Sequence, residues 1–105
     1  MTTPSPVQER GRKEDLTPLY NVVLLDDDDH TYDYVIEMLV KLFLKTADEA
    51  YKHAVEVDST GRTIVLTADK SAAEFGRDQI HAYGADPRLQ RSKGSMSAIV
   101  EPTAG

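Results

Sequence analysis

Cysteine is absent from this 105-residue chain, so disulfides, thiolate metal sites and thiol nucleophiles are excluded. A long apolar run is missing too: no stretch approaches the roughly 18 residues that a membrane span requires. The opening segment MTTPSPVQERGRKED has no apolar core of the kind a secretory signal carries, which makes a cytoplasmic protein the default expectation. Internal repeats are lacking, as are a Gly-rich phosphate loop and the Asp-x-Asp-x-Asp-Gly spacing of a calcium loop. Basic residues are the minority, 12 against 18 acidic, and the resulting net charge of −6 disfavours nucleic acid and anionic membranes as partners.

What remains suits one small domain with an extension. Residues 1–18 hold Pro4, Pro6 and Pro18 among mixed charges and few apolar groups, too little to offset the entropy of ordering them. They read as a flexible N-terminal arm, with the core domain at 19–105. Tyr20 to Leu25, YNVVLL, has β-forming residues and no helical period, so it reads as a buried strand. A first helix starts at Thr31, with Val35, Met38, Leu39, Leu42 and Phe43 on its apolar side, Asp33 in the first turn and Lys41 and Lys45 near the end. Thr46 and Glu49 have capping-box spacing and open a second helix, short and thinly apolar through Ala50, Ala54 and Val57, running towards Gly61.

Arg62 to Thr67 is β-branched and predicts a second strand. Ser71 and Glu74 suggest another capping box, leading a third helix with Phe75, Ile80 and Tyr83 on its apolar side, ended by Gly84 and Pro87. A polar loop follows, then an alternating strand over Ser95 to Glu101. The expected fold class is α+β: a small three-stranded antiparallel sheet with three helices on one face, in the order β-α-α-β-α-β.

The sharpest local feature is the run Asp26, Asp27, Asp28 and Asp29, followed by His30, at the end of the first strand. Two unit charges about 4 Å apart repel by roughly 4 kcal/mol at an effective dielectric near 20. Four readings offset that repulsion: a solvated loop, a hard metal ion beside His30, a phosphoacceptor like that of a receiver domain, or a bound ammonium. An ammonium presents three N–H donors, and two or three carboxylate oxygens answer both its charge and its hydrogen bonds. No catalytic constellation is evident, and the reading is of a binding module without cofactor or metal rather than an enzyme.

Three stretches together, YNVVLLDDDDHTYDYVIEMLVKLF, VEVDSTGRTIV and SMSAIVEP, resemble the ClpS family of protease adaptors. The resemblance spans Leu19 to about Pro102 and implies a pocket for the first residue of a substrate protein. Polar groups would take the α-amino group and an apolar cavity the side chain, before delivery to a AAA+ Clp unfoldase of the ClpA or ClpC type. By that resemblance Asp27 is a direct match, Asp26 replaces an asparagine, His30 replaces a threonine, and Tyr32 replaces a methionine at the rim. Val35 and Val57 are kept, Ala54 stands for a methionine, Asp58 for a histidine that meets the amino group, and Met96 for a leucine; ADPRLQRSKG carries an insertion. The implied ligand-binding set is Asp26, Asp27, His30, Tyr32, Val35, Ala54, Val57, Asp58 and Met96.

The two changes to aspartate keep an acceptor and add charge, so at least one carboxylate in the empty site should have a raised pKa. Two alternatives stay open: a ClpS-like domain that binds the unfoldase but has lost amine recognition, and a receiver-like or metal-binding acidic domain.

Overall fold

The computed structural model describes residues 17–104, so the arm expected over 1–18 falls, apart from Thr17 and Pro18, outside the described residues. The elements are β1 (Tyr20–Leu25), α1 (Tyr32–Phe43), α2 (Ala47–Thr60), β2 (Arg62–Ala68), α3 (Lys70–His81) and β3 (Ala98–Pro102). This is the expected β-α-α-β-α-β order, folded as a small α+β domain. Strand order is β2-β1-β3, and β1 pairs antiparallel on both sides. A receiver domain is built on a parallel doubly wound sheet, so the receiver-like alternative does not fit this topology.

The apolar residues of YNVVLL divide between the two faces of the sheet. Val22 and Leu24 join Val65 and Ala98 in the core beneath the helices, with Tyr34, Val35, Met38, Leu39, Ala50, Ala54, Ala73 and Ile80. Burying each large apolar side chain contributes about 1.5–3 kcal/mol. Val23 faces the other way and is nonetheless fully buried. Arg62 lies opposite Leu25 and Glu101 opposite Asn21, and these two form an ion pair that reaches across β1 above Val23. The register shifts between Val22 and Val23, so that Val22 faces Leu66 while Val23 faces Ile64. The extra residue, Val65, is buried in the core.

Five local expectations are corrected. The second helix is not short: at 14 residues it is the longest of the three, held by the Thr46–Glu49 capping box and closed by Gly61 at φ 92°. The N-cap of α3 is Asp69, whose carboxylate accepts from Ala72 N, rather than Ser71; Asp69 follows β2 directly and starts the helix before Ser71 is reached. Phe75 points out and is 64% exposed. Gly76 takes the inward position instead, where a Cβ would stand 3.2 Å from both Leu66 and Phe43, so α3 lies too close to the sheet for a ring. Finally, β3 begins at Ala98, because Ser95 is drawn away to accept from Gly84 N through its hydroxyl. Lys45 also falls beyond the end of α1, which closes at Leu44 in the left-handed conformation.

The histidines of α2 and α3 have definite partners. His53 Nδ1 lies 2.8 Å from the hydroxyl of buried Thr63, which itself donates to Glu56. His81 Nε2 accepts from Ala98 N at 3.0 Å, so the end of α3 sets the start of β3.

Candidate ligand-binding site

The site forms where β1, α1, α2 and the approach to β3 converge. Asp26 N donates to Gly61 O at 3.0 Å, which brings the end of β1 against the end of α2 and sets Asp26 near Asp58. Thr31 caps α1, its side chain accepting from Tyr34 N, and fixes where Tyr32 and Val35 leave the helix. From α2, Ala54, Val57 and Asp58 face the same space. Met96 enters from the loop before β3, held in place because Leu25 N donates to Ser97 O at 3.0 Å.

One cavity of about 50 Å³ is lined by Asp26, Asp27, His30, Thr31, Tyr32, Val35, Ala54, Val57, Asp58 and Met96. All nine residues singled out by sequence are therefore brought together, and Thr31 is the lining residue that reasoning missed. The floor is apolar: Val35, Ala54, Val57 and Met96 are all buried. The rim is acidic.

Each rim carboxylate has a different environment. Asp27 Oδ1 accepts from Asp29 N at 2.9 Å and lies 2.8 Å from His30 Nδ1. Arg91 reaches back to the carbonyl of Asp28 and to the carboxylate of Asp29, 3.2 Å away. Asp58 accepts from the Tyr32 hydroxyl at 2.7 Å. That bond, first, with lesser desolvation and the charge of Asp58, pushes the Tyr32 hydroxyl up to about 12. Among the described residues no cation pairs with Asp26 or Asp58. Desolvation raises the Asp26 carboxyl above its ordinary value, and the charges of Asp58, Asp27 and Asp28 add to the rise, against a lowering bond from the backbone of Asp27. The raised carboxyl expected at this rim is thus that of Asp26, through desolvation first and neighbouring charge second.

Sequence reasoning also missed the supports behind the rim. Asp86 is buried, and its Oδ2 accepts from Thr31 N and Thr31 Oγ1, both at 2.8 Å, while Oδ1 accepts from Arg88 N at 3.0 Å. Burial alone would push this carboxyl up, but the hydrogen bonds from Arg88 and Thr31 outweigh it and hold it down at about 2. An available signal was Asp86-Pro87-Arg88, since an aspartate that accepts from the backbone two residues on makes a turn of its own. Tyr34 was missed as well: buried in α1, its hydroxyl donates to Gly84 O at 2.6 Å. No group of three or more His, Asp or Glu among the described residues is arranged to hold a metal ion.

Chemically, the arrangement offers two carboxylates, Asp26 and Asp58, above a small apolar floor. Since neither carboxylate has a cationic partner, it suits a ligand with a cationic head and an apolar body.

A family model described as "ATP-dependent Clp protease adaptor protein ClpS" matches residues 15–88. The chain is 45% identical, over 63 residues, to the ATP-dependent Clp protease adapter protein ClpS of Nautilia profundicola, covering 60% of this chain and 65% of the relative. To the protein of the same name from Acetivibrio thermocellus it is 40% identical over 45% of this chain and 48% of that one. The matches thus span less than two thirds of these two relatives' lengths, whereas that with the Synechococcus elongatus protein is 28% identical over 78% of this chain and 87% of the relative. Among solved structures it is similar to Agrobacterium tumefaciens ClpS2 bound to L-phenylalaninamide, with a TM-score of 0.70, 21% identity, and coverage of 82% of this chain and 98% of that one. At that identity the likeness is one of fold.

Proposed function

The chain belongs to the ClpS family of ATP-dependent Clp protease adaptors, and on that premise we propose that its pocket captures the first residue of substrate proteins for delivery to a AAA+ Clp unfoldase. The ligand is the free α-amino group together with a bulky apolar side chain. Asp26 and Asp58 receive the ammonium, Asp27 completes the acceptor set, and Val35, Ala54, Val57 and Met96 enclose the side chain. The observation that carries this reading is the pair of rim carboxylates without a cationic partner, placed over buried apolar residues. An ammonium satisfies both at once. The relative whose structure holds L-phenylalaninamide supports a ligand of this class.

The chain performs no chemistry on its ligand. Unfolding and cleavage belong to the partner, an unfoldase of the ClpA or ClpC type in a cytoplasmic setting, and residues 1–18 form the arm that this partner engages. No described helix is long and apolar enough to cross a membrane.

The deciding experiment is titration with a peptide that begins with Leu or Phe, beside its N-acetylated twin. Acetylation removes the charge and its donors, so affinity should fall by about 2–5 kcal/mol. Equal affinity for the two peptides would sink the proposal. One observation favours a second reading, an adaptor that keeps the unfoldase but has lost amine recognition: the Tyr32 hydroxyl already occupies Asp58. On that reading neither peptide binds.

A further inference from the structure

We infer that His30 is a positioning residue, donating from both ring nitrogens to clasp the Asp27 carboxylate to the Gly94 carbonyl and so hold the Met96 wall against the acidic rim. The inference deepens the ligand-binding reading and rests on it only for the affinity measurement below. His30 Nδ1 lies 2.8 and 3.0 Å from the two Asp27 oxygens, and Nε2 lies 2.7 Å from Gly94 O. A backbone carbonyl and an ionised carboxylate offer only lone pairs. A neutral imidazole has one N–H, so one of these contacts would set a nitrogen lone pair against an oxygen lone pair. Both contacts stand together only when both nitrogens carry a proton.

The ring is placed for this task. Its side chain is 4% exposed, and it lies against Tyr34 with ring centroids 4.5 Å apart. The charged and titratable groups around it are Asp26, Asp27, Asp28 and Asp29 from its own loop, Tyr32 and Tyr34 from α1, Asp58 from α2, and Asp86 and Arg91 from the loop after α3. Ser92 Oγ accepts from Asp86 N at 2.8 Å and lies 3.3 Å from Nε2, so the same loop is tied to the ring twice. Gly94 stands two residues before Met96, which lines the cavity. Both ring nitrogens are turned to protein partners, so His30 offers the ligand a carbon edge rather than a hydrogen bond.

The test uses the full chain and the His30→Thr variant, since a threonine reaches one acceptor but cannot bridge two. In spectra of ¹⁵N-labelled protein at pH 6, the His30 ring should show two protonated nitrogens; a ring with one unprotonated nitrogen overturns the clasp. Amide exchange at residues 94–97 should quicken by about tenfold in His30→Thr, the worth of one charge-assisted hydrogen bond. Unchanged exchange at these residues refutes the inference whatever the peptide does. Affinity for a Leu-initiated peptide should fall by about tenfold in the variant, again the size of one such bond. If wild type binds no peptide, the ligand-binding reading fails, while the spectra and the exchange rates still decide the clasp.

Discussion

Replacing Asp86 with alanine tests the support beneath the site. Its Oδ2 accepts two hydrogen bonds from Thr31, both 2.8 Å, and Oδ1 accepts from Arg88 N at 3.0 Å and an Arg88 guanidinium nitrogen at 3.2 Å. Bonds to a charged group are worth about 1.5–3 kcal/mol each before water replaces any of them. Arg88 is 33% exposed in its side chain and can turn to solvent or to Glu37, so its share is small. The two Thr31 bonds cap α1 from behind, and losing them costs about 3 kcal/mol. With a urea slope near 1 kcal/mol/M for a domain of this size, the midpoint should drop by about 2–3 M. The carboxyl sits at about 2 in the fold against 3.8 ordinarily. Its contribution is therefore full above 3.8 and is lost as pH falls through about 2. Urea unfolding of wild type and Asp86→Ala, followed by circular dichroism at pH 7 and pH 2, reads both effects. A midpoint shift under about 0.5 M at pH 7, or a difference that persists undiminished at pH 2, would refute the reasoning.

Two further outcomes follow from the rim and the floor. Tyr32→Phe removes the hydroxyl that occupies Asp58, and affinity for a Leu-initiated peptide should rise by about 1 kcal/mol, the net worth of a hydrogen bond; calorimetry showing weaker binding would mean that the hydroxyl contacts the ligand. Ala54→Met fills the buried floor and should penalise Ile- and Val-initiated peptides by about 1–3 kcal/mol relative to Leu, so an unchanged Leu-to-Val ratio across a peptide panel would show that residue 54 does not line the ligand's side chain.

Legibility differed with the range of the interaction. The β1 strand, the Thr46–Glu49 capping box and the Gly61 stop depend on neighbours within a few residues, and each was readable as local chemistry. Asp69 prevailed over Ser71 as a cap because β2 ends beside it, a fact about the sheet. Phe75 has the spacing of a core residue, yet Gly76 shows that α3 sits too near Leu66 and Phe43 to admit it. For the candidate site, the nine residues came from a family likeness in which each position has a counterpart. Asp86 announced only its own turn, and its bonds to Thr31, like that of His30 to Gly94, join residues 55 and 64 positions apart, pairs of which a one-dimensional pattern holds no trace.

The four aspartates at the end of β1 can now be separated by what answers each charge. Asp29 faces the Arg91 guanidinium and Asp27 the His30 ring, both partners supplied by the chain itself. The carbonyl of Asp28 takes the guanidinium of Arg91, so the backbone at this residue, rather than its carboxylate, anchors the loop. Asp26 is left with a carboxyl raised first by desolvation and then by Asp58 across the cavity. An exposed acidic loop built only for solubility would place its charges where water screens them equally. Here the fold answers two and leaves Asp26, raised by desolvation and then by neighbouring charge, facing Asp58 over an apolar floor. A ligand that brings a positive charge to that point relieves the repulsion on binding. An uncharged ligand of the same shape leaves it in place, so on the proposed function the rim itself favours a free amine over its acylated form.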